Sequence, residues 1–196
     1  MADAGIDSWH WKYQYDLWRP VVGIRQEADK KDSDVFWAPL GAPQTNAAVF
    51  NRTPNFPAYP SGHATFGAAM YQVLRLYFRT TSQPIKMADV LAFDSGAPAA
   101  KPKEAMVFVS DELDGRSRDP NGSVRTRVEH PIRSFAQGVW ENSVSRVYLG
   151  VHWRFDGLPE RGQPNQNIGG VALGLENGKN AWNAFKNRLL ETAPDL

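Results

Sequence analysis

The sequence predicts an all-α fold, a bundle of four main helices joined by long irregular loops. Four segments carry apolar residues at helical spacing, 8–19, 63–79, 131–149 and 168–190. The segments between them hold proline, glycine and asparagine without a sustained period. Because 196 residues suffice for one domain with a sizeable core, we expect a single helical bundle spanning 1–196.

Composition narrows the function classes. Twenty-two Lys and Arg residues stand against 21 Asp and Glu, a net charge of +1, so the chain as a whole shows no attraction to nucleic acid or an anionic membrane. The absence of cysteine excludes disulfides and thiolate metal sites. No run approaches the ~18 apolar residues of a membrane span, and the first residues lack a signal-peptide pattern. We therefore expect a soluble protein, with its compartment open.

The first helix is predicted over Ser8–Arg19, with Ser8 as its cap and Pro20 as its end. Lys12 and Arg19 are two helical turns apart, which would place them on one face about 10 Å apart. Such a pair is most often a solvated basic edge. A functional interpretation is favoured only because further candidate anion-binding residues occur later in the chain. Aromatic residues repeat at helical spacing on the same segment: Trp11, Tyr15 and Trp18.

The second helix begins at a stretch suited to anions. Pro60 fixes its own φ, Ser61 is a good N-cap, Gly62 leaves the backbone uncovered and His63 opens the helical run to Arg79. A helix start directs unpaired N–H groups and the positive end of the dipole at one point, so we expect one wall of an oxyanion pocket here. The predicted buried stripe of this helix is Phe66, Met70, Val73, Leu74, Tyr77 and Phe78.

The segments 22–59 and 80–131 are predicted to be irregular, apart from a short extended run at 106–109. The second segment is rich in arginine, but interleaved carboxylates indicate a solvated arm rather than a nucleic-acid patch. Phe56 lies five residues before Ser61 and therefore near the expected pocket, either as a core plug or as a lining residue.

The third and fourth helices are predicted over 131–149 and 168–190. The expected inward residues are Phe135, Val139, Asn142, Val144, Val147 and Tyr148 on the third helix, and Ile168, Val171, Leu175, Trp182, Phe185 and Leu189 on the fourth. Four glycines make the first half of the fourth helix either weak or closely packed: Gly169, Gly170, Gly174 and Gly178.

A further cluster of polar residues follows the third helix. Arg146 and His152 are six residues apart, which on one straight helix would point them about 120° from each other. If both serve one site, Gly150 must break or re-aim the helix. His152 and Asp156 are at i, i+4 spacing, so Asp156 could accept from the ring N–H and fix the tautomer, although such a pair is more often structural.

Hydrogen-bond donors without an obvious carboxylate recur in these segments: Lys12, Arg19, Arg146, the Ser61 hydroxyl and the Gly62 and His63 amides. Cations that converge in a helical interior must be paired. A bound multivalent oxyanion would pair them, since arginine donates to two oxygens and lysine supplies a point charge. One histidine could then bond the central atom, while the other transfers protons on the opposite side.

The order and spacing of these residues resemble the three-part signature shared by vanadium-dependent haloperoxidases and the phosphatidic acid phosphatase type 2 superfamily. The strings around Ser61 and His152 are similar to those of the fungal-type chloroperoxidases, and the resemblance runs from about residue 5 to about residue 175. The matching parts are Lys12-(six residues)-Arg19-Pro20, Pro60-Ser61-Gly62-His63 and Ser145-Arg146-(five residues)-His152-(three residues)-Asp156.

The resemblance implies a vanadate cofactor, with hydrogen peroxide, halide and small organic acceptors as partners. His152 would bond vanadium through one ring nitrogen, and His63 would be the acid–base group that helps peroxide replace water or hydroxide. Lys12 would also polarise bound peroxide for halide attack. The residues implied to hold the vanadate oxygens are Lys12, Arg19, Ser61, Gly62 and Arg146. Trp9 and Phe56 match halide-pocket positions, and Phe56 favours chloride.

The same residues support a soluble acid phosphatase as the alternative. In that scheme His152 would attack phosphorus, Asp156 would orient it and His63 would protonate the leaving group. Vanadate and phosphate are nearly isosteric, so the site motif cannot choose between them. The flanking sequence, with Trp9 and Phe56, favours the peroxidase.

One departure from the haloperoxidase pattern stands out. Members of that group carry a second helical bundle ahead of the helix with the site lysine, whereas here that helix begins within nine residues of Met1. The chain therefore resembles the C-terminal half of such an enzyme alone, a fragment of one, or a reduced variant. This leaves a third interpretation, an oxyanion-binding fragment of little activity that needs a homo-oligomer or another helical half to cover apolar faces. The resemblance favours a secreted or extracytoplasmic location.

Overall fold

The structure, a computed structural model, describes residues 1–29, 31–41, 53–78, 83–96, 106–161, 163, 166 and 168–192. Within these ranges six α-helices and one two-stranded antiparallel sheet follow in chain order. They are α1 Ala2–Tyr15, α2 Pro20–Gln26, α3 Gly62–Phe78, α4 Met87–Leu91, β1 Met106–Val109, β2 Glu129–Ile132, α5 Phe135–Tyr148 and α6 Gly169–Thr192. The four long helices occur where the sequence predicts helices, and their bounds differ.

The centre of the bundle is the contact between α3 and α6, with α5 and α1 packed against α3. Small residues allow this contact to be close. A Cβ added at Gly170 would lie 2.3 Å from the Ser61 carbonyl oxygen, and one at Gly174 would lie 2.3 Å from that of Thr65. The glycines of α6 are therefore closely packed, which is one of the two outcomes that the sequence left open.

The buried face of α3 differs from the predicted stripe. Ala64, Ala68 and Tyr71 are buried, whereas Tyr77 and Phe78 are both 59% exposed. The prediction for those two rings was wrong because α6 approaches so closely that small residues must face it. Val147 and Tyr148 of α5 and Phe185 of α6 are likewise exposed rather than inward. Leu189 lies outside the residues whose side chains are described.

The first helix begins earlier and ends earlier than predicted. α1 spans Ala2–Tyr15 and stops at Asp16, whose φ of 45° is left-handed. Arg19 lies beyond it, as the residue preceding α2, a helix of which residues 22–26 fall in the segment predicted to be irregular. The face of α1 that points inward is the row Ala4, Ser8 and Lys12, and the aromatic rings of Trp11 and Tyr15 are exposed.

The segment before α5 forms a small sheet. β1 coincides with the run predicted to be extended at 106–109, and it pairs antiparallel with β2, so that Met106 faces Ile132. Because β2 takes up Pro131, α5 begins at Phe135 rather than at the predicted residue 131. Ser134 caps α5, its hydroxyl oxygen accepting from the Gln137 N–H at 3.1 Å.

No helix in the part of the chain that the structure describes is both long enough and apolar enough to cross a bilayer.

We predict that Gly174→Ala destabilises the protein by about 1–3 kcal/mol, because the added Cβ would press on the Thr65 main chain. This would occur although alanine is the better helix former by about 1 kcal/mol. The measurement is the free energy of unfolding in urea. Asn180→Ala on the exposed side of the same helix is the control and should stay within about 0.5 kcal/mol of the parent protein. Equal stability of Gly174→Ala and the parent would contradict the close contact.

Candidate oxyanion site

The structure brings the predicted cationic residues into one cluster from four separate parts of the chain. Lys12 lies in the last turn of α1, Arg19 directly precedes α2, and Arg146 lies in the last turn of α5. His152 follows α5 after a turn. Six side chains of the cluster are at most 7% exposed: Lys12, Arg19, Ser61, Arg146, His152 and Asp156.

The turn between α5 and His152 is the one that the sequence requires. α5 ends at Tyr148 and Gly150 has a φ of 71°, in the left-handed region. The chain then reverses, and the Val151 N–H donates to the Arg146 carbonyl oxygen at 3.2 Å. Gly150 therefore re-aims the chain, which lets Arg146 and His152 contribute to the same interior.

A hydrogen-bonded chain connects Arg19, His152 and Asp156. Arg19 Nη1 lies 3.0 Å from His152 Nε2, and His152 Nδ1 lies 2.8 Å from Asp156 Oδ2. Arginine can only donate, so Nε2 accepts and Nδ1 carries the proton. Asp156 thus fixes the tautomer and leaves the Nε2 lone pair facing the cations. The Trp153 N–H donates to the same Asp156 oxygen at 3.0 Å.

Arg19 is held by the main chain on both sides of the site. Its Nε donates to the Phe56 carbonyl oxygen at 2.9 Å, and its Nη1 donates to the Val151 carbonyl oxygen at 2.7 Å. The predicted common helix face of Lys12 and Arg19 was wrong, since α1 ends between them. The two side chains nevertheless meet, because Arg19 reaches the site from the extended segment before α2.

Two guanidinium atoms of the cluster are buried without a partner among the described residues, Arg19 Nη2 and Arg146 Nε. A buried donor without an acceptor costs about 1–3 kcal/mol, and more when it is charged. Asp156 is the carboxylate whose charge reaches Lys12 and Arg19, so cationic charge is in excess. An oxyanion with several oxygens would satisfy both orphaned atoms, and the residues present fit such a group.

The start of α3 supplies a further wall of the candidate site. The Ser61 hydroxyl oxygen caps the helix, accepting from the Ala64 N–H at 3.4 Å, and its own proton stays free to donate. The Ser61 N–H donates to the Asp156 carbonyl oxygen at 2.7 Å, which ties this helix start to the histidine turn. Gly62 begins α3, one residue before the predicted start. His63 follows it and lies at the exposed edge.

Burial and mutual repulsion shift the ionisation of the cluster. Burial, and then the charge of Arg19, lowers the pKa of Lys12 from 10.5 to about 7. Burial of part of the His63 ring, together with the charges of Arg146, Lys12 and Arg19, lowers its pKa to about 4. The same causes put the pKa of His152 well below its usual range. Both imidazoles are therefore neutral near pH 7.

Two further groups titrate outside their usual ranges. Burial raises the pKa of Asp156 from 3.8 to about 7, although the Trp153 N–H and the charges of Lys12 and Arg19 oppose the shift. Burial also lowers the pKa of Arg19 to about 10 and that of Arg146. Burial therefore disfavours the charged form of each cation in the cluster. A bound anion would favour that charged form again.

The predicted halide-pocket residues lie beside the lysine. The rings of Trp9 and Phe56 are 5.1 Å apart, and the Lys12 Nζ lies 5.5 Å and 5.3 Å from their centroids. A Cβ at Gly62 would lie 2.8 Å from the Trp9 ring, so the absence of a side chain at Gly62 allows the indole to cover the helix start. Phe56 thus borders the cluster, and its role stays a prediction.

Sequence reasoning missed the main-chain acceptors of the site. The carbonyl oxygens of Pro57, Ala58 and Pro60 all accept from the Lys12 Nζ, at 2.9, 3.0 and 2.7 Å. Carbonyl groups have no residue code, so a motif cannot show them. The two prolines were the available signal. Proline has no N–H to donate and does not fit a helix interior, so it leaves neighbouring carbonyl groups without regular partners.

Fold and site together define a helical bundle with a buried cationic cluster at the start of its central helix. The chain belongs to the family described as the VCPO second helical-bundle domain, whose model matches residues 1–189. The recognition made from the motifs and the all-α class are thereby confirmed.

Two individual proteins are similar to this chain. It is 38% identical over 175 residues to the vanadium chloroperoxidase of Curvularia inaequalis, covering 82% of this chain and 27% of that protein. A bacterial vanadium-dependent iodoperoxidase of known structure is 23% identical, with a TM-score of 0.45, over 95% of this chain and 30% of its own. The chain therefore spans less than a third of the length of either relative.

We predict that oxyanion binding takes up a proton through Lys12 at pH 8. At that pH the amine, with its pKa at about 7, is mostly neutral, and a bound anion raises the pKa again. The measurement is titration calorimetry with phosphate in two buffers of different ionisation enthalpy. Phosphate binding to Lys12→Met at the same pH should take up nearly one proton fewer than binding to the parent protein. Comparing the two proteins removes any contribution from protonation of phosphate itself, because that contribution is common to both. Equal uptake by both proteins would contradict the assignment.

Proposed function

We propose that this chain forms the vanadate-binding bundle of a vanadium-dependent haloperoxidase, which oxidises chloride or bromide with hydrogen peroxide to hypohalous acid. The observation that carries the proposal is the pair of orphaned atoms, Arg19 Nη2 and Arg146 Nε, in the cluster that includes the His152 ring. Membership of the family supports it. Because the chain spans 27% of the curated relative, the activity of the whole enzyme is itself part of the proposal.

The residues proposed to hold vanadate keep the assignments made from the sequence. Arg19 and Arg146 would pair with its oxygens, His152 would be the ligand through Nε2, and the Ser61 hydroxyl and Gly62 amide would donate from the helix start. Lys12, protonated when the anion is bound, would supply a positive charge. In this arrangement His152 must exchange its bond from Arg19 Nη1 for the bond to the metal.

Bound vanadate would supply Lewis-acid chemistry without a change in oxidation state. The protein side of the chemistry belongs to the surrounding groups. Asp156 keeps the proton on His152 Nδ1, so that Nε2 remains a lone-pair donor. His63 is neutral and lies at the exposed edge, and it would accept the proton that hydrogen peroxide loses on entry. Trp9 and Phe56 would give halide a weakly hydrated surface beside the Lys12 charge.

The phosphatase alternative has its own supporting observation. His152 has a free-base Nε2 oriented by a carboxylate on Nδ1, which is the arrangement of an activated nucleophile. In that case His152 would bond phosphorus, His63 would protonate the leaving oxygen, and the cations would hold the other oxygens. The third interpretation, an oxyanion-binding fragment of little activity, predicts association with a second helical partner. Size-exclusion chromatography distinguishes it, because a well-behaved monomer counts against it.

We predict that orthovanadate added to the metal-free protein generates halide oxidation by hydrogen peroxide, and that His152→Ala abolishes it. The variant should keep its circular-dichroism spectrum, since Arg19 Nη1 retains the Val151 carbonyl as an acceptor. His130→Ala is the matched control, an exposed histidine paired with Glu141, and it should keep activity within about twofold. Turnover of an aryl phosphate with no halide oxidation in saturating vanadate would reject the peroxidase and leave the phosphatase.

We also predict that inorganic phosphate competes with vanadate for this protein, because the two tetrahedral anions offer the same oxygens to the same donors. The measurement is the apparent vanadate dissociation constant at rising phosphate concentration, which should increase linearly. Sodium nitrate at equal ionic strength is the control and should leave the constant nearly unchanged. A vanadate affinity that does not respond to phosphate would show that the two anions do not share the pocket.

A further inference from the structure

The ammonium of Lys12 is saturated by the main chain of a single short segment. Its three hydrogen bonds go to the carbonyl oxygens of Pro57, Ala58 and Pro60, at 2.9, 3.0 and 2.7 Å. An ammonium has three protons, so these bonds use all of them. The side chain is fully buried, and water therefore does not compete for the acceptors.

That segment leads directly into the oxyanion wall, because Ser61 follows Pro60. It is also poor in main-chain donors, since two of its residues are prolines. Apart from Lys12, the Ala58 N–H holds the segment by donating to the Leu17 carbonyl oxygen at 2.8 Å, and the Tyr59 hydroxyl oxygen accepts from the Gly169 N–H at 3.2 Å. Lys12 therefore contributes three of the contacts that fix the path of residues 57–60.

Two aromatic rings complete the surroundings of the ammonium. The Trp9 and Phe56 centroids lie 5.5 and 5.3 Å from Nζ, and their electron-rich faces favour a cation. Three carbonyl dipoles and two rings together form a cage with the chemistry of a primary-ammonium site. The three carbonyl acceptors require N–H donors as well as charge.

We propose that Lys12 is a positioning residue in addition to its proposed contact with the oxyanion. Its ammonium pins residues 57–60, and through them it places the Ser61 hydroxyl and the Gly62 amide. The carbonyl cage is itself a binding site for a primary ammonium, so an exogenous alkylammonium can take the place of the side chain. The positioning role in anion binding rests on the proposed function, whereas the cage does not.

The geometry also limits what Lys12 can do while it is pinned. With every proton engaged by a carbonyl, it acts on a bound anion through its charge and through the wall that it shapes. A direct hydrogen bond to the anion requires that one of the three carbonyls be released. Loss of the side chain therefore removes charge and wall geometry together.

The test uses Lys12→Ala, which deletes three methylenes and the ammonium, with propylammonium as the probe. Propylammonium should raise the melting temperature of the variant in a saturable way. It should also increase the vanadate affinity of the variant about tenfold, since small misplacements of donors cost up to a hundredfold. Propyltrimethylammonium has the same charge and no N–H donors, and it should do neither. The parent protein should not respond to either compound.

Several results would overturn the proposal: no response of the folded variant to propylammonium, an equal response to the quaternary compound, or an equal response of the parent protein. The same measurements distinguish failure of this proposal from failure of the proposed function. A parent protein that does not bind vanadate would reject that function, while saturable stabilisation of Lys12→Ala by propylammonium would still support the cage.

A measurement on the parent protein covers the case in which Lys12→Ala does not fold. At pH 5.5, below the pKa of about 7, the Lys12 ammonium should give a ¹⁵N side-chain signal. Its protons should exchange with water more slowly than those of Lys179, by about tenfold or more. Lys179 is half-exposed and has a single long contact to Glu176 at 3.6 Å. Exchange at the same rate for both lysines would overturn the pinned ammonium.

Discussion

Burial of positive charge in excess of negative charge is the constraint on which the rest of the structure depends. Lys12, Arg19 and Arg146 are nearly inaccessible to water, and Asp156 is the carboxylate that reaches the first two. The protein meets the cost in part with main-chain carbonyls, which accept three bonds from Lys12 and two from Arg19. Arg19 Nη2 and Arg146 Nε have no partner among the described residues, and we propose that an oxyanion supplies it.

The packing of the bundle explains why the cluster forms at this position. Glycines of α6 lie against the main chain of α3 at Ser61 and Thr65, so the start of α3 is held without bulky side chains. The Ser61 N–H bond to the Asp156 carbonyl joins this helix start to the histidine turn. Gly150 directs that turn back toward Arg146. Backbone contacts thus position the helix start and the histidine turn, and the Lys12 side chain adds its three bonds to residues 57–60.

Local chemistry made much of the site predictable. Ser61 as a cap, the break at Gly150 and the His152–Asp156 pair each follow from the properties of a few neighbouring residues, and the structure contains all three. The end of α1 at Asp16 was not predictable in this way, because the left-handed residue that ends the helix is an aspartate and no glycine or adjacent proline marks it. The aromatic repeat also does not mark the inward face of α1, since Trp11 and Tyr15 are exposed. The buried row of α1 includes Lys12, whose acceptors lie 45 to 48 residues further along the chain. Local periodicity therefore does not reveal this row.

The central claim is that residues far apart in the sequence surround one oxyanion. Crystallography of the protein soaked in orthovanadate, with anomalous scattering at the vanadium edge, tests it most directly. The account predicts one vanadium peak per chain within bonding distance of His152 Nε2, with oxygens in contact with Arg19 Nη2 and Arg146 Nε. A peak at another location, or ordered crystals in which these side chains surround no vanadium in saturating vanadate, would contradict it.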